Sequence, residues 1–94
     1  MTVLNEERLD EVIRALAHSD RRRFVKACMG SPRAAGELAQ LSSLALASVS
    51  EHLKVLRKSG LLVLQKEGRF RMYRTDTALL HHVGRAIIDF GSQE

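Results

Sequence analysis

A chain of 94 residues has the length of one ordinary domain, which predicts a single core and a single binding surface. The hydrophobic fraction of 45% and the charged fraction of 28% are close to those of soluble globular proteins and exclude a disordered or fibrous chain. The one cysteine, Cys28, excludes an internal disulfide. The first residues do not resemble a signal peptide, and no stretch approaches the roughly 20 apolar residues of a membrane span, so we expect a cytoplasmic protein with no membrane partner.

The net charge of +4 is unevenly distributed along the chain. The segment 57–74 holds six basic side chains against one acidic side chain, whereas the remaining residues hold nine basic and ten acidic side chains. Such a segment is a solvated face in many proteins, but a concentrated basic patch is also what a polyanionic partner requires. Charge alone leaves both interpretations open.

The residue pattern in the first third of the chain predicts two helices. An amphipathic helix is expected over about 4–17, because its apolar residues are spaced at i, i+3, i+4 and i+7. These residues are Leu9, Val12, Ile13 and Leu16. A second helix is expected over 19–29, with Ser19 as its N-cap and Gly30 as its stop.

The residue pattern in the middle of the chain predicts two more helices, joined by a tight turn. Pro32 marks a boundary, after which a short third helix is expected over about 33–41. A turn near 42–43 leads into a fourth helix over about 45–59, which ends before Gly60. The apolar residues of the fourth helix line one side and leave the other side free. They are Val49, Leu53 and Leu56.

After Gly60 the hydrophobic pattern changes from helical to alternating, which predicts a β-hairpin with its turn at 67–68. The alternation places Phe70 and Met72 against the body of the protein. Three cations are expected to point toward solvent, namely Lys66, Arg69 and Arg71. A last helix over 77–91 should follow, with Thr75 or Asp76 as its cap and a broad apolar stripe.

Four helices, a basic hairpin and a fifth helix, in that order, are typical of a winged helix-turn-helix fold, mainly α with a small β-hairpin. We expect one domain over 1–94, with the helix-turn-helix at about 33–59 and the wing at about 61–75. The fourth helix would suit the major groove of B-DNA, and the hairpin would lie against the neighbouring phosphates.

Four segments resemble the ArsR-like family of winged-helix repressors. They are ALAHSDRRRFVKAC, GELA, SVSEHLKVLRKSGLL and KEGRFRMYR, and the resemblance covers nearly the whole chain. It implies a homodimer that places two recognition helices on successive major grooves of a palindromic operator and represses transcription by occluding a promoter. The implied dimer interface is formed by the first and last helices, through Leu4, Leu9, Val12, Ile13, Leu16, Leu79, Val83, Ile87 and Phe90.

The resemblance also implies contacts with DNA bases or phosphates along the fourth helix. These positions are Ala47, Ser48, Ser50, Glu51, His52 and Lys54. Arg69 and Arg71 are the implied wing contacts, and Arg57 and Lys66 are expected to add phosphate contacts. The chain departs from the family pattern at 45–47, where Ala-Leu-Ala replaces the common Ser-Gln-Ser. This removes hydrogen-bonding groups and leaves methyl contacts with thymine as one substitute, so we expect a specificity that the usual pattern does not predict.

The metal ligands of many such repressors are missing from this sequence. The positions that often hold paired cysteines on the third helix are Ala39 and Leu41. His81 and His82 would point about 100° apart on a helix, so they do not readily share an ion. Cys28 has no thiol partner and is interpreted as a small buried hydrophobe. We expect no metal and no cofactor, and the sequence identifies no inducer.

Other functions are less consistent with the sequence. The alternative is a winged helix that docks a partner protein without specific DNA binding, which the apolar segment 45–47 favours. A module that binds single-stranded RNA would need an aromatic platform, and the chain has few aromatic residues. Ser48 and Ser50 lie near His52 but match no nucleophile motif, so we expect no enzymatic activity.

Overall fold

The computed structural model describes residues 4–92. These residues form five α-helices, a three-stranded antiparallel sheet and a terminal 3-10 turn. In chain order the elements are α1 (Glu6–Leu16), α2 (Ser19–Ala27), β1 (Arg33–Ala34), α3 (Ala35–Gln40), α4 (Leu46–Ser59), β2 (Leu62–Glu67), β3 (Phe70–Thr75), α5 (Thr77–Ile88) and the 3-10 turn Asp89–Ser92. The predicted fold class, a mainly helical winged helix-turn-helix, is confirmed.

The starts of α1 and α2 are fixed by side-chain caps. Asn5 caps α1, and its Oδ1 accepts a hydrogen bond of 2.7 Å from the Arg8 backbone nitrogen. Helix α2 begins differently from the expectation, because His18 and not Ser19 is the N-cap; its Nδ1 accepts from the Asp20 nitrogen at 3.3 Å. Helix α2 also ends at Ala27, two residues before the predicted end.

The sequence did not predict strand β1. Arg33 and Ala34 pair with Tyr73 and Met72, so β1 lies on the free edge of β3 and the strand order is β1-β3-β2. The third helix is therefore α3 alone, and not the predicted helix over 33–41. The Glu37 carboxylate accepts a hydrogen bond from the Ala34 nitrogen at 2.9 Å and so supports the start of this helix.

The hairpin turn lies one residue later than predicted, at Gly68 and Arg69, because Glu67 pairs with Phe70. Gly68 has φ +64°, a conformation that favours glycine. The expected inward position of Phe70 is wrong, since this side chain is 63% exposed. The inward side of β3 instead carries Thr75, which is buried and donates to the Val25 carbonyl at 2.7 Å.

The core is formed by side chains from α1, α2, α3, α4, α5 and the start of β2. Its buried hydrophobic residues are Leu9, Val12, Ala15, Phe24, Val25, Cys28, Leu38, Val49, Leu53, Leu56, Leu61, Leu62, Leu79 and Val83. Because both α2 and α3 pack against α4, the inner side of α4 is fixed and its outer side is left free.

Candidate nucleic-acid interface

Helix α4 buries one side and exposes the other. Val49, Leu53 and Leu56 are buried in the core. The residues on the opposite side are spaced at i, i+3, i+4, i+7 and i+11 and are all exposed. We call this set the outer face of α4, namely Ala47, Ser50, Glu51, Lys54 and Lys58. A helix with one free polar side has the dimensions that the major groove of B-DNA admits.

Local interactions define both ends of α4. Before the helix, the Ser42 hydroxyl donates to the Ala39 carbonyl at 3.3 Å and accepts from the Leu44 nitrogen at 3.3 Å, which holds the turn between α3 and α4. At the other end, Gly60 adopts φ +89° and its nitrogen donates to the Arg57 carbonyl at 3.0 Å. This positive φ is why the position favours glycine, and a β-carbon there would also require the Arg8 guanidinium to move.

Of the predicted DNA contacts on α4, His52 is the one that is half-buried, whereas the others are exposed. Its Nδ1 accepts a hydrogen bond from Arg21 Nε at 3.1 Å, and its ring lies 4.4 Å from the ring of His18. Burial, and then the neighbouring His18 and Arg21, lower the pKa of His52 below its usual value. A neutral His52 therefore links α4 to α2. The sequence did not reveal this contact because its partners lie in a different helix.

One cluster within residues 4–92 has metal-binding chemistry: His18, Asp20 and His52 each place a ligand atom within 4.8 Å of the others. Both imidazole Nδ1 atoms already accept hydrogen bonds, and the Asp20 carboxylate lies 3.6 Å from the Arg23 guanidinium. A cation would have to compete with these two hydrogen bonds and with the guanidinium groups of Arg21 and Arg23. We therefore interpret the cluster as a structural link between α2 and α4.

The titration of His52 predicts a pH-dependent stability. Because its pKa is lowered in the folded protein, the unfolded chain binds the proton more readily. The contribution of His52 should be complete above the unfolded pKa of about 6.5 and should be lost as the pH falls below that value. Between about pH 7.5 and about pH 5.5, the free energy of unfolding measured in urea should fall more for the wild type than for His52→Gln, because the glutamine amide does not titrate. Equal losses in the two proteins would show that His52 is not the responsible group.

The wing carries three of the predicted cations at its tip. Lys66 and Arg71 lie opposite each other on β2 and β3, Arg69 lies in the turn, and all three are exposed. None of the ion pairs found among residues 4–92 involves them. Arg74, by contrast, donates to the Gln65 side chain at 3.1 Å and is held along the sheet. The tip therefore presents three cations without a carboxylate partner in the described part of the chain.

The predicted dimer residues divide into two groups. The side chains of Leu9, Val12, Leu79 and Val83 are buried in the core of the single chain, and Leu4 and Leu16 are half-buried and pack against it. The exposed members are Ile13, Ile87 and Phe90, and Ile88, which the sequence did not single out, is 67% exposed. An apolar surface on α1, α5 and the 3-10 turn thus remains uncovered.

Cys28 lies in the core and not at a surface. Burial raises the pKa of its thiol to about 11, so the reactive thiolate is scarce at neutral pH. This agrees with the interpretation of Cys28 as a buried hydrophobe. None of the helices within residues 4–92 combines the length and the apolar character needed for a membrane crossing.

An outer face on α4, a short α3 before it and a basic hairpin after it define a winged helix-turn-helix protein. Residues 16–65 match a family model described as a helix-turn-helix domain. Since this match covers more than half of the sequence, the chain belongs to the helix-turn-helix domain family, among the ArsR-like transcriptional regulators.

Two relatives illustrate the similarity. An HTH-type transcriptional regulator of Mycobacterium tuberculosis is 37% identical over 67 residues, which cover 71% of this chain. The same alignment covers 63% of the mycobacterial protein, so this chain spans less than two thirds of that relative. The transcriptional repressor SdpR of Bacillus subtilis is 25% identical over 72 residues, 77% of this chain and 80% of the relative.

Solved structures agree with the fold. An ArsR-like transcriptional regulator from Rhodococcus sp. RHA1 superposes with a TM-score of 0.83 and 25% identity, over 93% of this chain and 82% of that structure. A second similar structure is a fragment from Mycobacterium bovis, described as a homodimeric winged helix-turn-helix DNA-binding domain of a possible ArsR-family regulator. It superposes with a TM-score of 0.71 and 23% identity, over 95% of this chain and 91% of that structure.

Proposed function

We propose that this protein is a cytoplasmic, non-enzymatic repressor that binds a palindromic operator in double-stranded DNA as a homodimer. The observation that carries the proposal is the outer face of α4, which lies free beside a wing with three cations that form no ion pair within residues 4–92. Among ArsR-like regulators such a surface suits the major groove and its flanking phosphates. Binding there would exclude the transcription machinery from the promoter.

The proposal assigns the phosphate contacts to exposed cations and the base contacts to the start of α4. The phosphate group comprises Lys54, Arg57, Lys66, Arg69 and Arg71. The base group comprises Ala47, Ser48, Ser50 and Glu51. We give His52 a positioning role, because its hydrogen bond with Arg21 holds α4 against α2. Salt-dependent release of counterions would then supply much of the affinity.

Dimerisation is supported by the exposed apolar side chains on α1, α5 and the 3-10 turn. Ile13, Ile87 and Phe90 are 41%, 46% and 60% exposed, a group that a second copy of the chain would cover. The similar fragment from Mycobacterium bovis is described as homodimeric. Binding to successive major grooves requires that the dimer place its two α4 helices about 34 Å apart.

A salt titration tests the proposal. Each phosphate contact contributes about 0.9 to the slope of log affinity against log salt, so Arg69→Ala with Arg71→Ala should flatten that slope by about 2 per protomer. The measurement is fluorescence anisotropy with a duplex selected from the source genome. Arg22→Ala with Lys26→Ala removes the same charge from exposed positions on α2 and should leave the slope unchanged. A salt-independent interaction would contradict the proposal.

A partner-protein module is the second candidate, since Leu46 at the start of α4 and Phe70 in the wing are 58% and 63% exposed. Exposed apolar side chains of this kind are common where proteins dock. The two candidates differ in one result. Failure of the protein to bind any selected duplex at low salt would favour the protein-docking function.

A further inference from the structure

The first turn of α4 presents apolar side chains where a recognition helix meets base edges. Leu46 is 58% exposed, and Ala45 and Ala47 are exposed as well. None of these three side chains has a hydrogen-bonding group, and the N-cap Ala45 makes no side-chain cap. The N-terminal residues of a recognition helix are those that contact base edges in this class of fold. Whatever these three side chains recognise must therefore be recognised through apolar contact.

The major groove offers one prominent apolar feature, which is the C5 methyl group of thymine. We propose that Leu46 and Ala47 select thymine in each half of the operator by packing against this methyl group. The proposal rests on the proposed function, since it requires that α4 enters the major groove. It adds a specificity that the usual polar residues at these positions would not give.

The next turn of α4 favours a different base. Glu51 is exposed, and its carboxylate forms none of the side-chain hydrogen bonds or ion pairs found within residues 4–92. A carboxylate in the major groove accepts a hydrogen bond from the amino group of cytosine. Since Glu51 lies one turn after Ala47 on the outer face of α4, the selected half-site should hold a cytosine near the thymine.

Replacement of thymine by uracil tests the proposal directly, because it removes the methyl group and keeps every hydrogen-bonding group. Duplexes are first selected from a random pool, and each thymine of the selected site is then replaced in turn. At one position per half-site, uracil should weaken wild-type binding about fourfold, and about 15-fold when both half-sites are changed. Leu46→Ser combined with Ala47→Ser should bind the thymine and uracil duplexes equally. Both residues are exposed, so folding should be preserved.

Val55→Ser is the matched control, since it makes the same kind of apolar-to-serine change on the same helix, at a residue that is 38% exposed and outside the proposed DNA contacts, and it should retain the preference for thymine. Two results would overturn the inference while leaving DNA binding intact: tight binding of the selected duplex with no loss at any uracil, or an undiminished uracil effect in the double serine variant. Failure to bind any duplex would overturn the proposed function itself, and the inference with it.

Discussion

Replacing Phe24 with alanine should lower the free energy of unfolding by about 3–5 kcal/mol. Phe24 is completely buried between α2 and the inner side of α4, so its removal leaves a cavity that the surrounding side chains fill only in part. A domain of this size has a total stability of about 5–15 kcal/mol. The variant should therefore unfold at much lower urea concentration, and its melting temperature should fall by about 12 °C or more.

Phe70→Ala is the control for this prediction, because it makes the same substitution at a side chain that is 63% exposed. We expect a change within about 0.5 kcal/mol. Both variants are compared with the wild type by urea unfolding monitored by circular dichroism. If the two substitutions cost the same free energy, the inward position of Phe24 and the outward position of Phe70 are both in doubt.

Introducing charge on the proposed dimer surface should cause the largest loss of DNA affinity. Ile87→Asp with Phe90→Asp places four carboxylates in a twofold interface, where an unpaired buried charge is strongly unfavourable. The variant should sediment as a monomer. Because each protomer then binds one half-site alone, affinity for the operator should fall by about 10²–10⁴.

Met29→Asp is the control for the dimer variant, since Met29 is also an apolar residue, 41% exposed, but follows α2 and lies outside α1 and α5. It should remain a dimer and retain its affinity. Sedimentation equilibrium and fluorescence anisotropy provide the two measurements. A double aspartate variant that is monomeric yet binds the operator as tightly as the wild type would refute the role of the dimer.

Sequence reasoning predicted the elements that local signals determine. Gly60 ends α4, and Asp76 caps α5 by accepting from the Leu79 nitrogen at 3.1 Å, as the residue types suggested. Strand β1 has only two residues and exists because it pairs with β3, so no local pattern could reveal it. The turn of the hairpin was misplaced by one residue, which changes the partner of Phe70 from Gln65 to Glu67 but leaves Phe70 on the same face of the hairpin. Phe70 is 63% exposed in the last pair before the turn, and alternation alone did not show that this pair lies beyond the core.

In the candidate site, too, local patterns could be predicted from the sequence, whereas contacts between elements could not. Helical periodicity identified the outer face of α4, because the residues opposite a buried stripe must face solvent. It could not show that His52 binds Arg21, since that contact joins two helices. Periodicity also could not show that Val12 lies in the core of one chain whereas Ile13 is 41% exposed. Apolar residues at helical spacing are found both in protein cores and in dimer interfaces.

The central claim is that two copies of α4 occupy successive major grooves of one duplex. Methylation protection tests it most directly, because dimethyl sulfate modifies the N7 atom of guanine in the major groove. With a selected duplex and saturating protein, we expect two protected regions whose centres lie about 10 base pairs apart. A bound duplex with unprotected guanines throughout, or with a single protected region, would contradict the account.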